Sequence, residues 1–503
     1  MSKAENAYQE LTGLAREAGI LQSVAELLEW DQEVCMPPGG NAHRAEQMAL
    51  MAGAVHEKNT APRIGELLAV CEQSDFTSGS AQAVNIREIG RRYRKNTSLP
   101  AKLVKEIARV TANAHPVWKE ARGKKDFSIF CPHLERIVAL KREQAEAVGY
   151  QEGSPYDALL DDYEPGESTD RLVELFGDLA PKLTNLLRKI MDAPRKADSS
   201  LVQRHFPADS QRTLGIEAAR AIGFDFDSGR LDPVVHPFCL TVGPGDVRLT
   251  TRYNENFFNE AFFGIMHETG HGLYEQGLPP ADFGLPTGTS ISLGIHESQS
   301  RMWENCVGRS GRFWEFFFPR LAEVFPEATI GVDTGNWLRA INQVKPSFIR
   351  VEADEVTYNL HIILRFELER ALIEGELEVA DLPSAWNEKF SRMLGMEVPD
   401  DSMGVLQDVH WSAGLFGYFP TYCLGNLYAA QLFATARQQI DSLEEGFARG
   451  DFLPLLNWLR ENIHSRGMSL PARELVREVT GHELSSSYLL SYLESKFNAL
   501  YGI

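Results

Sequence analysis

Residues 256–276 read NFFNEAFFGIMHETGHGLYEQ, and this stretch has the pattern of a single amphipathic helix. Its apolar residues recur at three- and four-residue spacing, which places them on one side of a helix. They are Phe258, Phe262, Ile265 and Leu273. A glycine and two prolines follow within four residues and are typical stop signals. The stretch therefore predicts a helix from about Asn256 to Gln276 with one buried side.

The same helix carries the run His267-Glu-Thr-Gly-His271. Residues four apart on a helix lie on one face, so the two imidazoles can bind a single divalent metal ion. Glu268 lies beside them, where it can take a proton from a water on the metal but cannot easily be a third ligand. The alternative is a solvated helix face with two incidental histidines. Against it, Gly270 and Gly272 each cost about 1 kcal/mol relative to Ala, which predicts close approach of another backbone.

A catalytic zinc site needs a third protein ligand, and Glu297 is the best candidate. It lies in the run Ser292 to Trp303, which predicts the next helix, and the loop from Gly277 to Ser290 lets that helix fold back antiparallel. The alternative for Glu297 is an ion pair with Arg301 four residues on. His296 is a rival ligand, but neighbours on a helix point about 100° apart, so only one of the two should face the metal.

Immediately before this helix the pattern changes from helical to alternating. Two short runs, 239–242 and 247–253, flank the turn Gly243-Pro-Gly-Asp246, which predicts a β-hairpin. In the second arm Asp246, Arg248, Thr250 and Arg252 share one face, which is polar and cationic. Most of the rest of the 503 residues has helical periodicity. The polar stretch from Asp192 to Gln211 separates two periodic regions and is a possible domain boundary.

The composition argues against a disordered, collagen-like or disulfide-dense protein. Hydrophobic residues make up 43% and charged residues 24%, as in ordinary globular chains. The net charge of −20 argues against nucleic-acid or anionic membrane partners. Six scattered cysteines, the absence of an export signal and the absence of a long apolar run predict a reduced cytoplasmic protein.

With these residues in place, the sequence resembles the thermostable carboxypeptidase family of metallopeptidases, family M32. That family is built around H-E-x-x-H and a downstream H-E-S/G-Q, both of which are present. Six further motifs follow in family order from residue 30 to residue 422. They are Trp30–Val34, His236-Pro237-Phe238, D-x-R-x-T at Asp246–Thr250, I-R-x-x-A-D at Ile349–Asp354, G-x-x-Q-D-x-H-W at Gly404–Trp411, and Gly417–Tyr422.

The resemblance implies that His267, His271 and Glu297 bind Zn²⁺, for which Co²⁺ can substitute, and that Glu268 is the general base. It also implies that Arg350 binds the free carboxylate of a peptide. A guanidinium suits this role because it donates two parallel charge-assisted hydrogen bonds. The alternative for Arg350 is an ion pair with Asp354.

Four further side chains are candidates for contact with the substrate or the intermediate. Arg248 is the second candidate for carboxylate binding, and its alternative is a pair with Asp246. His410 and Tyr422 are candidates for stabilising the oxyanion, although a buried tyrosine is more often a core residue. His236 could orient the substrate or be a structural histidine. Gln407 and Asp408 are possible supporting partners.

The implied architecture is one mostly α-helical domain over residues 1–503, with a deep active-site groove and a small β-hairpin beside the zinc helix. Residues 1–190 would form a groove wall or lid, residues 230–430 the zinc core, and two chains a homodimer. The implied activity is broad-specificity, sequential release of amino acids from peptides with a free C-terminus. The alternatives are a zinc endopeptidase or aminopeptidase, and a non-catalytic helical scaffold with a structural metal, which would not need Glu268.

Overall fold

The computed structural model describes residues 2–150 and 153–503, and within these ranges the chain is mostly helical, as predicted. The helices that precede the sheet are α1 (Lys3–Val34), α2 (Asn41–Asn59), α3 (Pro62–Glu72), α4 (Ala81–Ser98), α5 (Ala101–Lys124), α6 (Cys131–Val148), α7 (Pro155–Leu160), α8 (Thr169–Asp192) and α9 (Ala208–Ala221). None of the helices in the described ranges is both long enough and apolar enough to span a bilayer.

The sheet has three strands, and eleven helices follow it in the described ranges. The strands are β1 (Gly229–Pro233), β2 (Cys239–Gly243) and β3 (Asp246–Thr251). The helices are α10 (Phe258–Gly277), α11 (Leu293–Arg301), α12 (Gly311–Val324), α13 (Thr334–Ile341), α14 (Thr357–Glu374), α15 (Leu382–Leu394), α16 (Pro420–Gln439), α17 (Leu443–Phe447), α18 (Leu453–Asn462), α19 (Ala472–Thr480) and α20 (Ser486–Tyr501). A π-helical segment, Met302–Gly308, continues α11.

The predicted hairpin is present, and the sheet contains one strand more than the hairpin. β2 and β3 pair antiparallel across a turn in which Gly245 has a φ of +80°. β1 pairs parallel with β3, so the strand order is β1–β3–β2. Thr250, expected on the polar face, is fully buried. Its hydroxyl accepts from the backbone N–H of Phe238 at 2.7 Å and donates to the carbonyl of Phe238 at 2.8 Å, which closes the base of the hairpin.

Three helices meet at glycines around the predicted metal site. A Cβ on Gly270 of α10 would lie 2.6 Å from the carbonyl oxygen of Gln299 on α11, so the predicted close backbone approach is confirmed there. At Gly272 the close neighbours are instead the side chains of Phe224 and Leu249. Gly425 of α16 leaves room for Glu297, because a Cβ at residue 425 would fall 2.4 Å from Cγ of Glu297. These contacts hold α10, α11 and α16 together.

Most buried apolar residues in the described ranges belong to one large core or to one small core. The large core extends from α5 to α20 and includes Ala193, Leu201, Val202 and Phe206. The stretch from Asp192 to Gln211 is therefore packed within it and is not a domain boundary. The small core joins α1, α3 and α4. Its buried members are Ala7, Leu11, Ile64, Leu67, Leu68, Cys71 and Ile86.

Helix α1 connects the small core to the sheet and to the loop between α10 and α11. The Trp30 ring lies under the guanidinium groups of Arg230 and Arg248, at 4.7 and 4.2 Å from its centroid. Gly19 packs on Gly284, since a Cβ at residue 19 would lie 2.7 Å from the Gly284 Cα. Between these contacts is a cavity of about 980 Å³, bordered by α1, α4, the hairpin and the start of α11. Glu275 and Gln276 of α10 are also among its lining residues.

Candidate metal centre and active site

Helices α10 and α11 bring the three predicted ligands together. The ligand atoms of His267, His271 and Glu297 all lie within 4.8 Å of one another. Oε2 of Glu297 is 3.6 Å from Nε2 of His267 and 3.4 Å from Nε2 of His271. Two imidazoles and one carboxylate form the donor set of many catalytic zinc sites, with ligand bonds of about 2 Å. The residues therefore fit a divalent metal ion placed between them.

The ion pair considered as the alternative for Glu297 is also present. Arg301 Nε donates to Oε1 of Glu297 at 2.7 Å, and the hydroxyl of Ser300 donates to Oε2 at 3.0 Å. Burial alone would raise the pKa of Glu297, but the positive charge of Arg301 and the nearby His267 hold that pKa well below its usual range. The carboxylate is thus ionised, as a metal ligand must be.

The outward nitrogens of the two histidines have different partners. Nδ1 of His267 lies 3.0 Å from Oε2 of Glu304, a residue on the π-helical segment. Nδ1 of His271 lies 2.6 Å from Nδ1 of His296, whose Nε2 is 2.8 Å from Oε1 of Glu275. His296, the rival ligand, therefore contacts the far side of His271. The roles of Glu304 and Glu275 were not predicted, although Glu275 is four residues from His271 on α10.

Glu268 is placed for proton transfer. Glu268 is only 7% exposed, and burial raises the pKa of its carboxyl group to about 7. No group in the described part of the chain donates a hydrogen bond to it, so the carboxylate is available to a water or a substrate amine. The environment suits a general base at neutral pH.

Arg350 is held by Asp408 and not by Asp354. Nε of Arg350 lies 3.0 Å, and one terminal nitrogen 2.9 Å, from Oδ1 of Asp408. Asp354 instead accepts the backbone N–H groups of Val356 and Thr357 at the start of α14. The alternative for Arg350 was therefore wrong in its partner. Oε1 of Gln407 accepts the backbone N–H of Arg350 at 2.9 Å, so two residues of the 404–411 motif hold this arginine.

A second arginine, which was not predicted, completes this cluster. Nε of Arg365 on α14 donates to Oδ2 of Asp408 at 2.7 Å. Burial alone would raise the pKa of Asp408, but the charges of Arg365 and Arg350 hold it well below its usual range. Two guanidinium groups thus share one carboxylate, which leaves one net positive charge in a buried place.

Tyr358 links this cluster to the metal centre. Its hydroxyl accepts from a terminal nitrogen of Arg350 at 3.2 Å. The guanidinium carbon of Arg301, which binds Glu297, lies 4.4 Å from the centroid of the Tyr358 ring. The net positive cluster and the three candidate ligands therefore belong to one site.

His410 and Tyr422 border the same cluster. The guanidinium carbon of Arg350 lies 5.2 Å from the Tyr422 ring centroid, and the His410 and Tyr422 centroids are 6.4 Å apart. Within the described chain, Nδ1 of His410 has no hydrogen-bond partner. Burial lowers the pKa of His410 to about 4, so the ring is neutral at pH 7 and can donate one N–H.

Two predicted substrate contacts, Arg248 and His236, form no hydrogen bond with the candidate ligands in the described ranges. Arg248 donates to both oxygens of Asp246 at 2.8 and 2.7 Å and stacks on Trp30, so the alternative considered for it is the observed arrangement. His236 is exposed in the loop before β2, and its side chain makes no hydrogen bond within the described ranges.

The chain is similar to known proteins over nearly its whole length. Residues 10–497 match the family model described as carboxypeptidase Taq (M32) metallopeptidase. The chain is 49% identical to thermostable carboxypeptidase 1 of Thermus thermophilus, with 99% of each chain covered. It is 39% identical to carboxypeptidase 1 of Bacillus subtilis, with 98% of each covered. It also superposes on the crystal structure of an M32 carboxypeptidase from Deinococcus radiodurans with a TM-score of 0.95 at 38% identity, covering 99% of this chain and 100% of that one.

Proposed function

The chain belongs to the carboxypeptidase Taq (M32) family of metallopeptidases, and from this premise we propose that it releases amino acids one after another from the free C-terminus of peptides, with broad side-chain preference. The observation that carries the proposal is the buried, net positive cluster of Arg350, Asp408 and Arg365 beside the candidate metal ligands. A terminal carboxylate would neutralise this cluster, whereas an internal peptide bond would leave its charge unpaired.

The hydrogen bonds of Arg350 support this role. A guanidinium has five N–H donors, and three point to Asp408 and Tyr358. One N–H therefore remains on each terminal nitrogen, which is the pair that grips a carboxylate through two parallel bonds. Gln407 and Asp408 restrain the backbone and the side chain, so little rotamer freedom is lost when substrate binds.

We propose that His267, His271 and Glu297 hold Zn²⁺, with Co²⁺ as a possible substitute. A bound ion of this kind polarises the peptide carbonyl and lowers the pKa of a water molecule. Glu268 takes a proton from the attacking water and then delivers it to the nitrogen of the leaving amino acid. The N–H of neutral His410 and the hydroxyl of Tyr422 are the candidate donors to the carbonyl oxygen as its negative charge develops.

A pair of peptides with the same sequence, one with a free C-terminal carboxylate and one amidated, tests this proposal. Each is incubated with the protein, with and without a chelator, and the products are identified by mass. We expect stepwise trimming of the free acid only, and we expect the chelator to stop it. Internal cleavage of both peptides would favour an endopeptidase, and products whose formation is blocked by N-terminal acetylation would favour an aminopeptidase.

The scaffold alternative is tested by Glu268→Gln. A structural metal site has no use for a base, so a scaffold keeps both its metal and its function in this variant. For the proposed enzyme we expect unchanged metal content and a kcat lower by roughly 10²- to 10⁴-fold, the usual contribution of a general base.

We also propose that the protein acts as a cytoplasmic homodimer on peptides, without nucleic acid or membrane partners. The net charge of −20 and the six unpaired cysteines support the absence of anionic partners and a reducing location. Light scattering on the purified full chain tests the homodimer, because a monomer mass at micromolar concentration would contradict it.

A further inference from the structure

The contact between His271 and His296 restricts where their protons lie. Nε2 of His271 faces Glu297, so Nδ1 is the nitrogen turned away from the candidate metal position. This Nδ1 lies 2.6 Å from Nδ1 of His296. Two ring nitrogens so close need one proton between them, because two lone pairs repel each other and two N–H groups collide.

Metal binding sets the direction of that hydrogen bond. A ligand nitrogen must present a lone pair, so His271 carries its proton on Nδ1 and donates it to Nδ1 of His296. Neutral His296 then carries its proton on Nε2, which lies 2.8 Å from Oε1 of Glu275. The second oxygen of Glu275 accepts from the hydroxyl of Thr241 on β2 at 3.0 Å. Each donor in this series of hydrogen bonds therefore has one acceptor.

We propose that His296 and Glu275 are positioning residues that hold His271 in its Nδ1–H tautomer and aim its Nε2 at the metal. We call the hydrogen-bonded series His271, His296, Glu275 and Thr241 the relay. It joins α11, α10 and β2, so the sheet takes part in orienting a ligand of the helical metal centre. His267 has a direct carboxylate partner in Glu304, whereas His271 reaches its carboxylate through a second imidazole. The inference rests on the proposed metal site and is independent of peptide specificity.

Two substitutions of His296 separate a relay from simple packing. His296→Phe keeps a ring against Tyr274, whose centroid is 5.2 Å from that of His296, and loses both nitrogens. His296→Gln loses the ring and keeps an oxygen that accepts and a nitrogen that donates. Loss of a residue that hydrogen-bonds to a metal ligand typically weakens metal binding by roughly 10- to 100-fold. We expect that loss for His296→Phe and a clearly smaller one for His296→Gln, whereas packing alone predicts the reverse order.

His464 supplies a matched control. Its ring also packs against Tyr274, at a centroid distance of 5.0 Å, but its Nε2 contacts Gln299 and no candidate ligand. We expect His464→Phe to leave the metal affinity unchanged. Glu275→Leu removes the acceptor at the far end of the relay, and we expect it to weaken metal binding in the same direction as His296→Phe.

The measurement is the Zn²⁺ dissociation constant of the full-length protein, obtained by competition with a chelator, with circular dichroism to confirm folding. Parent-like affinity in both His296→Phe and Glu275→Leu, or weaker binding by His296→Gln than by His296→Phe, overturns the relay. If His296→Phe does not fold, Glu275→Leu takes its place, and its Zn²⁺ affinity is compared with that of His296→Gln. Failure of the parent to bind Zn²⁺ overturns the proposed function as well. A parent that binds Zn²⁺ and trims peptides, with variants of equal affinity, overturns the relay alone.

Discussion

At the scale of single residues, Arg350 and Arg248 form a natural comparison. Both are paired with an aspartate, but only Arg350 shares its aspartate with a second arginine and donates to Tyr358, which links it to the candidate metal centre. We expect Arg350→Met to lower kcat/KM for a free-acid peptide by roughly 10- to 100-fold, mainly through KM, which corresponds to the loss of a charge-assisted hydrogen bond. Asp408 keeps Arg365 as a partner, so no buried charge is orphaned.

Arg248→Met is the matched control for that prediction. Its guanidinium binds Asp246 and covers Trp30, so we expect a small loss of stability and an unchanged KM. Steady-state kinetics on a single peptide series checks both variants. An unchanged KM in Arg350→Met, or an equal rise in both variants, would assign carboxylate recognition to other groups.

Some of these residues could be predicted from local spacing and others could not. His267, Glu268 and His271 are read from one helical turn, and the predicted third ligand Glu297 follows on the next helix. The partner of Arg350 lies 58 positions away in the chain, so no i,i+4 rule can find it. That rule pointed to Asp354, but Arg350 lies on a 3-10 turn and Asp354 caps α14. Partners so far apart in the sequence can be identified only when the fold is known.

At the scale of elements, the contact between α10 and α11 depends on Gly270. A Cβ at this position would lie 2.6 Å from backbone atoms of Gln299 and Ser300, which cannot move as a side chain does. We expect Gly270→Ala to cost roughly 1–3 kcal/mol of stability, the usual effect of overpacking. It should also weaken metal binding, because Glu297 on α11 would shift relative to both histidines.

Gly264 on the same helix is the control for Gly270. A Cβ there meets only Oγ1 of Thr251, at 3.6 Å, an ordinary van der Waals contact. Gly264→Ala should therefore gain up to about 1 kcal/mol from helix propensity and keep its metal affinity. Chemical denaturation and metal titration of the two variants test the pair. Equal stability would mean that the two helices can separate without cost.

The start of α11 is held by a buried carboxyl group with a perturbed pKa. Glu164 accepts from the Ser292 hydroxyl, the Gly294 N–H and the Tyr428 hydroxyl, each at 3.0 Å. Burial raises its pKa to about 7, while the three donors oppose the shift. The folded state thus binds a proton more tightly than the unfolded state, so this stability is complete below about pH 4.5 and is lost as pH rises through 7.

Glu164→Gln tests that pH dependence. The amide does not ionise, so we expect its unfolding free energy to fall less than that of the parent between pH 5 and pH 8, by on the order of 3 kcal/mol. Denaturation of the metal-free proteins at both pH values measures the difference, and chelation removes the pH dependence of metal binding. Parallel decreases in the two proteins would show that Glu164 is ionised at no cost in the folded state.

Prediction of the elements depended on how regular their patterns are. The α10 prediction differs from the observed Phe258–Gly277 by two residues at its start and one at its end, because a long apolar stripe is a strong signal. The two alternating runs around a glycine-rich turn are an equally strong signal for the hairpin. β1 has the sequence GRLDP, with a single buried residue, Leu231, so it has no alternation to detect. Its pairing with β3 depends on tertiary contacts.

At the scale of the whole molecule, a mostly helical fold follows from periodicity, but the division of the apolar residues into two cores does not. Apolar residues at helical spacing occur in α1, α3 and α4 as well as in the helices of the large core, so this spacing does not separate the two cores. Which helices share a core is decided by their packing in three dimensions. The stretch from Asp192 to Gln211 shows this, because it is polar and still contributes four residues to the large core.

The separate small core predicts separate stability. Leu67 is 3% exposed within it, and Leu→Ala at such a site costs about 2–5 kcal/mol. Because its neighbours are α1 and α4, we expect Leu67→Ala to increase amide hydrogen exchange in α1, α3 and α4 and to leave α10, α11 and α16 protected. Hydrogen exchange with mass spectrometry resolves these segments.

Leu427→Ala in α16 is the counterpart in the large core, where Leu427 is fully buried. It should increase exchange in the helices of the metal centre as well as in its own. If Leu67→Ala instead increases exchange throughout the chain, the two cores unfold as one unit and α1 is bound as firmly as α16. If exchange rises only in α1, α3 and α4, those helices can open at the cavity that they border while the candidate metal centre stays folded, as a lid requires.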